Sequence, residues 1–181
     1  MDLKNEIFLV TGAGGFVGAC LTRRLVKMGV KVHALAPPEG DLWRLEDILP
    51  QLTLHRGDIA DEAFVRGLIA QVTPSIIYHL AAHGAYPLQT NARRILTTNV
   101  LGTYNLLESL EKFPYKLFVN TGSSSEYGFK DKPMRESDLP EPNSYYAVAK
   151  LAQTMLCQYT AKSQKKKIHC HIPVIFPVRP L

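Results

Sequence analysis

The chain has 181 residues, of which 46% are apolar and 20% are charged. This composition supplies enough apolar area for a folded core, and it excludes a disordered chain and a mini-protein that depends on disulfides. The net charge is +5, but residues 1–161 hold 16 basic and 16 acidic side chains, so the excess lies in the last twenty residues. Because residues 1–161 have no net charge, they lack the broad basic face that nucleic-acid binding needs, and we predict no nucleic-acid partner.

The sequence also carries no signal for a membrane or an export pathway. No apolar run approaches the ~20 residues of a membrane span, and the start, MDLKNEIFLV, lacks the pattern of a signal peptide. Cys20, Cys157 and Cys170 have neither disulfide-framework nor metal-ligand spacing, which fits a reducing compartment. We therefore predict a cytoplasmic protein without a metal site, in which His79 and His83 are packed or loop histidines.

Hydrophobic patterning predicts strands that alternate with helices along the chain. The predicted strands are Glu6–Thr11, Val30–Ala36, Leu52–His55, Ser75–Leu80 and a fifth that begins at Lys116–Val119. The first predicted helix is Phe16–Met28, which Gly29 closes, and the second is Glu62–Val72, which Asp61 caps. The third is Arg93–Lys112, and the last runs from Asn143 or Ser144 to about Lys162. This alternation is typical of an α/β fold with a doubly wound parallel sheet, in one domain over residues 1–181.

A glycine-rich segment, TGAGGFVG, joins the first strand to the first helix. Gly12, Gly15 and Gly18 have the spacing G-x-x-G-x-x-G in the strand, turn and helix context that dinucleotide binding requires. Gly12 permits the tight turn, Gly15 lets main-chain N–H groups approach a pyrophosphate, and Gly18 lets the helix lie close to the sheet. We therefore predict a dinucleotide site at this turn.

The residues after the second strand do not decide between NAD and NADP. An acidic residue there binds the free 2′-hydroxyl of NAD, and an arginine accommodates the 2′-phosphate of NADP. The expected place reads Leu-Ala-Pro-Pro, with no carboxylate, whereas Glu39, Asp41 and Arg44 come slightly later. Both cofactors stay open at this point.

Tyr146 and Lys150 lie four residues apart on the last predicted helix, and so they share a face. A nearby ammonium favours phenolate over phenol, and we expect Lys150 to lower the pKa of Tyr146. A tyrosine with a lowered pKa is a usable acid and base near neutral pH. Tyr145 is a rival for this role, but only Tyr146 has the spacing to Lys150.

Taken together, these features resemble the extended branch of the short-chain dehydrogenase/reductase family, whose members include NAD-dependent nucleotide-sugar epimerases and dehydratases. The resemblance runs from about Ile7 to about Ala161. It rests on the glycine-rich turn and, in chain order, on Gly57-Asp58-Ile59, His79-Leu80-Ala81-Ala82, Asn99-Val100-Leu101-Gly102-Thr103, GSSSEYG at Gly122–Gly128 and NSYYAVAK at Asn143–Lys150. It implies a Rossmann fold that binds NAD or NADP.

The resemblance also implies roles for individual residues. Ser123 would hydrogen-bond the reacting sugar oxygen, Tyr146 would be the catalytic acid and base, and Lys150 would hold the nicotinamide ribose and tune Tyr146. Asn99 would support the active-site helix and a proton-relay water. The implied cofactor contacts are Gly12, Gly15, Phe16, Val17, Gly18, Asp58, Ile59, Ala81, Ala82, Tyr146 and Lys150.

The implied chemistry is hydride transfer at a carbon of a nucleotide sugar, by an epimerase or a reductase. Dehydratase relatives commonly carry an Asp-Glu pair where this chain has Ser124 and Ser125, and Glu126 comes one position late, so we consider dehydration the less favoured reaction. A cofactor-binding module without turnover and an inactive piece of an enzyme are further alternatives. Many relatives pair through the two long helices, which makes a homodimer possible.

The C-terminal residues depart from the family. Relatives run well past this length, and the portion that forms most of their sugar-nucleotide pocket is missing here. The family motif R-x-x-N/S-x-Y-G-P is replaced by a tail over residues 165–181 in which Pro173, Pro177 and Pro180 suit a central strand badly. A one-nucleotide shift of the reading frame near Lys165–Lys167 would allow codons for that motif, and the nucleotide sequence of the gene tests this frameshift hypothesis.

Overall fold

The computed structural model describes residues 3–171, which form an α/β fold around one parallel sheet. The described strands are β1 Ile7–Thr11, β2 Lys31–Ala36, β3 Thr53–Arg56, β4 Ile76–His79, β5 Leu117–Thr121 and β6 Ile168–His171. They lie in the order β3-β2-β1-β4-β5-β6, and each neighbouring pair is parallel. The prediction of a doubly wound sheet is thereby confirmed.

Helices cover both faces of this sheet. The α-helices are α1 Phe16–Lys27, α2 Glu62–Val72, α3 Ala92–Leu96, α4 Gly102–Leu110 and α5 Tyr145–Ser163. Two predicted helix starts are confirmed, because Asp61 accepts a hydrogen bond from the Phe64 N–H and Ser144 accepts one from the Ala147 N–H. Gly29 follows α1 with a φ of +69°, as expected for a residue that ends a helix.

Two apolar cores lie on opposite sides of the sheet. Phe8, Val10 and Ala34 face the core that α1 closes, whereas Leu9 and Ile77 face the core beneath α2, α4 and α5. Alternate residues of one strand therefore enter different cores, and this explains why the strands are apolar without a break. All five of these side chains are at most 1% exposed.

Three details of the prediction were wrong. The helix predicted over Arg93–Lys112 is interrupted, because a π-helical turn at Thr97–Leu101 separates α3 from α4. Residues Trp43–Gln51 form a 3-10 helix that the patterning did not reveal, since Pro50 lies inside it and Leu45 and Ile48 supply its buried contacts. The third strand begins and ends one residue later than expected.

The last described element is β6, which pairs with β5 through Ile168 opposite Phe118. The tail predicted to fit a strand badly thus adopts strand structure over its first residues. Pro173, Pro177 and Pro180 lie outside the described residues. Across residues 3–171, the helices are all too short or too polar to cross a membrane.

Candidate functional site

A cleft of about 510 Å³ opens at the carboxyl ends of β1 and β4. The strand order reverses between these two neighbours of the sheet, and such a switch point is where open α/β sheets bind ligands. The lining residues from the predicted set are Gly12, Gly15, Asp58, Ile59, Ala81 and Ala82. The structure therefore brings together segments that lie up to 70 residues apart in the sequence.

The glycine turn owes its shape to close approaches of the main chain. A Cβ on Gly12 would lie 2.7 Å from the Ala81 nitrogen, and the φ of Gly12 is +69°. A Cβ on Gly18 would overlap the carbonyl oxygen of Gly12. Gly14, which the predicted spacing passed over, also needs to be glycine, because a Cβ there would lie 2.8 Å from the Asp41 carbonyl oxygen.

The first turn of α1 leaves its main-chain N–H groups available to an anion. Gly15 is the N-cap and has no side chain to accept from these groups, and the turn contains no acidic residue. Phe16 and Val17 follow with side chains that are 69% and 53% exposed. Amides at a helix N-terminus bind phosphate well, so the arrangement suits a pyrophosphate.

The far end of the cleft is formed by the loop that follows β2. Ala36 and Pro37 line it where an acidic residue is usual, and Asp41 and Arg44 line it further along. Asp41 Oδ1 accepts the Trp43 N–H at 2.9 Å, and the Arg44 guanidinium lies 4.2 Å from the centre of the Trp43 ring. Of the three residues considered for the adenosine ribose, Glu39 is not part of the lining.

Asp58 and Ile59 lie on one wall, at the carboxyl end of β3. Asp58 Oδ1 accepts the Ala60 N–H at 2.9 Å, and Asp58 Oδ2 lies 3.5 Å from the Arg94 guanidinium. Ile59 is 5% exposed and packs against Gly102. Arg94, in the middle of α3, also lines the cleft, and it was not among the predicted residues because no motif marks it.

A buried polar chain links β1, β4 and the π-helical turn. The Thr103 hydroxyl donates to the Asn99 carbonyl oxygen, so His79 Nε2 donates to Thr103 at 2.9 Å and His79 Nδ1 accepts from the Thr11 hydroxyl at 2.8 Å. The Asn99 side chain accepts the His83 N–H and donates to the His83 carbonyl oxygen, both at 2.8 Å. Burial lowers the pKa of His79 to about 3, so this chain stays neutral.

Ser123 and Tyr146 meet at the edge of the cleft. Neither residue is among those that line the cleft, and they come from different elements, but the Ser123 hydroxyl acts on the Tyr146 phenol. The Tyr146 ring lies against Gly84, the neighbour of the lining residue His83. Tyr145 is 62% exposed, and the structure therefore favours Tyr146 over Tyr145 as the tyrosine of the site.

Lys150 lies one turn further along α5 and is 3% exposed. Its ammonium donates to the Thr121 carbonyl oxygen at 2.6 Å and to Gln153 Oε1 at 2.5 Å. Burial lowers the pKa of Lys150 to about 8, and the charge of Glu126 opposes that effect. The lysine is thus held as a buried cation behind Tyr146.

The expected effect of Lys150 on Tyr146 was wrong for this structure. Burial raises the pKa of Tyr146 above its ordinary value, the Ser123 hydroxyl lowers it in part, and the charge of Glu126 raises it further. The physical reason is the direction of the lysine side chain, because its ammonium bonds to Thr121 and Gln153. Sequence spacing places two residues on one face but does not fix where a long side chain points.

Glu126 comes one position late for the family's acidic pair, and in an extended segment it would lie on the opposite side. The segment Ser124–Tyr127 is a 3-10 helix instead, and Glu126 is 3% exposed. Its Oε1 accepts the Ser123 N–H at 2.7 Å and the Thr154 hydroxyl at 3.2 Å. Burial raises the pKa of this carboxyl group, and Ser123, Thr154 and Lys150 each lower it.

The cysteines are less scattered in space than in the sequence. The thiols of Cys157 on α5 and Cys170 on β6 are hydrogen-bonded, whereas Cys20 is exposed. This bond and burial raise the pKa of Cys157, and the same bond lowers the pKa of Cys170. Strand β6 creates the contact, and no spacing rule predicts it.

Comparison with known proteins agrees with the fold and the cleft. The profile of the NAD dependent epimerase/dehydratase family matches residues 8–175. The chain therefore belongs to this family, and the resemblance inferred from its motifs is confirmed.

Three relatives illustrate the range of the family. The chain is 32% identical over 156 residues to a UDP-glucose 4-epimerase of Mycolicibacterium smegmatis, with 80% of this chain and 48% of the relative covered. It is 36% identical over 129 residues to a CDP-glucose 4,6-dehydratase of Salmonella typhimurium, with 68% and 36% covered. The crystal structure of the Bordetella bronchiseptica enzyme WbmH in complex with NAD+ is similar at a TM-score of 0.79 and 27% identity, with 92% and 55% covered. The chain thus spans about half the length of such relatives or less.

The close contact at Gly18 yields a prediction about stability. Gly18→Ala places a methyl group against the main chain of Gly12 and Ala13, so we expect it to destabilise the fold by about 1–3 kcal/mol. Gly67→Ala is the matched control, because a Cβ at this helical position of α2 meets nothing within 4 Å. The control is expected to be neutral or to stabilise by up to about 1 kcal/mol.

Urea unfolding followed by circular dichroism measures both variants. Equal midpoints for Gly18→Ala and the wild type would contradict the close packing of α1 on the glycine turn.

Proposed function

We propose that this chain is the cofactor-binding part of an NAD-dependent nucleotide-sugar epimerase or reductase, in which Tyr146 is the acid and base. The observation that supports this most strongly is that one cleft connects the N-terminus of α1 with the surroundings of Tyr146. The cleft runs from the loop after β2, past the uncapped N-terminus of α1, to His83, whose neighbour Gly84 packs against the Tyr146 ring. One dinucleotide lying in the cleft would thus reach from the helix amides to the phenol.

The residues present fit a dinucleotide. The amides of the first turn of α1 would bind the pyrophosphate, and the glycines leave no side chain between them and the ligand. Ile59 and Asp58 would flank the adenine, and Ala81 and Ala82 would lie along the ribose and phosphates. NAD supplies a hydride acceptor at its nicotinamide ring.

Ser123, Tyr146 and Lys150 would bind the sugar, transfer the proton and bind the nicotinamide ribose. Ser123 would hold the oxygen of the reacting sugar carbon beside Tyr146. The Tyr146 phenol would donate its proton to this oxygen as hydride reduces the carbon, and the resulting phenolate would take the proton back as the carbon is oxidised. Lys150 would bind the nicotinamide ribose through its ammonium. An epimerase returns the hydride to the opposite face of the sugar, whereas a reductase carries out the transfer in one direction.

The position of Glu126 supports epimerisation or reduction over dehydration. Loss of water needs a further acid and a further base beside the sugar. Ser124 and Ser125 hold the places of the family's acidic pair, and the Glu126 carboxylate is buried against Ser123 and Thr154. No carboxylate of the segment Ser123–Tyr127 is therefore available to a sugar in the cleft.

The cofactor is proposed to be NAD. WbmH was crystallised with NAD+, and Asp41 offers a carboxylate at the end of the cleft where the adenosine ribose would lie. Arg44 lies there too, and its stacking on Trp43 directs the guanidinium onto the ring. Titration with NADH and NADPH in parallel distinguishes the two cofactors.

Removal of the phenol tests the assigned chemistry. The wild type is expected to bind NADH. It is also expected to interconvert UDP-glucose and UDP-galactose with NAD present, or to reduce a nucleotide keto-sugar with NADH as the hydride donor. Tyr146→Phe is expected to lower turnover by at least about 100-fold, because the proton acceptor is lost, while NADH binding is kept. Coupled assays of product formation and fluorescence titration of NADH measure the two effects.

Tyr145→Phe is the matched control, since Tyr145 is the exposed neighbour on the same helix. If the wild type binds NADH but converts no nucleotide sugar, the proposal of an active enzyme is wrong, and a binding module or an inactive piece of an enzyme remains. Full turnover in Tyr146→Phe would contradict the role of the phenol.

We also propose that two copies of the chain pair through α4 and α5. These helices pack side by side, and they present exposed apolar side chains at Tyr104, Val148, Met155 and Tyr159. The last three follow the spacing of one helix face, which makes a continuous stripe. Such a stripe is typical of a buried interface between identical subunits.

A charge placed on this stripe is expected to separate the subunits. Met155→Glu introduces a carboxylate into the proposed interface, and we expect it to convert a dimer into a monomer in light scattering coupled to gel filtration. Leu88→Glu is the control, because Leu88 is 95% exposed in a loop away from α5. A monomeric wild type at the highest concentration reached would contradict the dimer.

A further inference from the structure

The space between α5 and the turn after β5 holds two buried charges of opposite sign. Glu126 and Lys150 are each 3% exposed, and neither has an ion-pair partner in direct contact among the described residues. Their charges nevertheless act on each other, because Glu126 favours the ammonium of Lys150 and Lys150 favours the carboxylate of Glu126. An isolated buried charge is costly, so each one depends on the other.

The bonds of Glu126 connect this pair to the reacting groups. The Ser123 N–H donates to Glu126 Oε1, and the Ser123 hydroxyl lowers the pKa of Tyr146. The Thr154 hydroxyl, one turn beyond Lys150 on α5, donates to the same oxygen. Glu126 therefore joins the turn that carries Ser123 to the helix that carries Tyr146 and Lys150.

We propose that Glu126 is a positioning residue: its buried carboxylate fixes the Ser123 turn against α5 and is the counter-charge that keeps Lys150 an ammonium. This inference rests on the proposed function, in which Lys150 binds the nicotinamide ribose. Glu126 touches neither sugar nor cofactor in this role. It acts through Ser123 and Lys150.

Glu126 is the strongest of the negative charges that act on Lys150. The Lys150 ammonium donates to the neutral oxygens of Thr121 and Gln153, and the Gln153 amide nitrogen has no hydrogen-bond partner within residues 3–171. The other titratable groups around it are Cys157 on its own helix, Cys170 on β6 and His79 on β4. His79 is neutral and the Cys157 thiol is held protonated. The pKa of Cys170 is lowered, but Cys170 acts on Lys150 less strongly than Glu126 does.

The test compares Glu126→Gln with the wild type by NMR of lysine labelled with 13C at Cε. The amide keeps an oxygen for the Ser123 N–H and the Thr154 hydroxyl but removes the charge. Lys150 is expected to lose its proton at a pH about one unit lower in the variant, because the nearby opposite charge is gone. Its resonance is assigned with Lys150→Arg.

Glu141→Gln is the matched control. Glu141 lies on the segment that bonds to the main chain of Glu126, but its carboxylate is exposed and pairs with Lys130. This variant is expected to leave the titration of Lys150 unchanged. Loss of NADH affinity on raising the pH should likewise begin about one unit earlier in Glu126→Gln and not in the control.

The reciprocal measurement keeps the test valid if Glu126→Gln does not fold. In Lys150→Met the Glu126 carboxyl group is expected to titrate at a higher pH than in the wild type, because coupling between two sites is mutual. An unchanged Lys150 titration in folded Glu126→Gln, or an unchanged Glu126 titration in Lys150→Met, overturns the proposal. Failure of the wild type to bind NADH contradicts the proposed function instead, since neither titration requires the cofactor.

Discussion

The contact between Gly18 and the carbonyl oxygen of Gly12 determines where the first helix begins. Only a hydrogen atom fits between these two stretches of main chain, so α1 starts directly over the end of β1. The helix therefore presents free N–H groups at the point where the strand order reverses. The positive end of the helix dipole and these amides together make this part of the cleft suited to an anion.

A second constraint holds the opposite wall of the cleft in place. The chain from Thr11 through His79 and Thr103 to Asn99 ties two strands to the π-helical turn. Asn99 in turn clamps the main chain at His83, beside which Tyr146 packs against Gly84. Every donor and acceptor on the His79 ring is used, and a fully satisfied buried network is rigid. The π-helical turn thus places Asn99 where it bonds to His83, and such turns are frequent at functional sites.

The amino-acid pattern predicts the sheet, its helices and the glycine turn because these depend on local periodicity and on positions where only glycine fits. A sequence motif predicts the local arrangement at Gly12 and Gly18, and it also predicts that Ser123 and Tyr146 lie close together. The pattern could not predict the direction of the Lys150 side chain or the burial of Glu126. Both depend on contacts between β5, α5 and the turn between them, which are distant in sequence.

We propose, above all, that the main-chain amides of the first turn of α1 bind the pyrophosphate of a dinucleotide. The most direct measurement is an amide NMR titration of the 15N-labelled chain with NADH. The account predicts saturable shifts of the N–H resonances of residues 14–18, together with those of Ala81 and Ala82. Binding of NADH that leaves the resonances of residues 14–18 unmoved, or no binding by the folded chain, would contradict it.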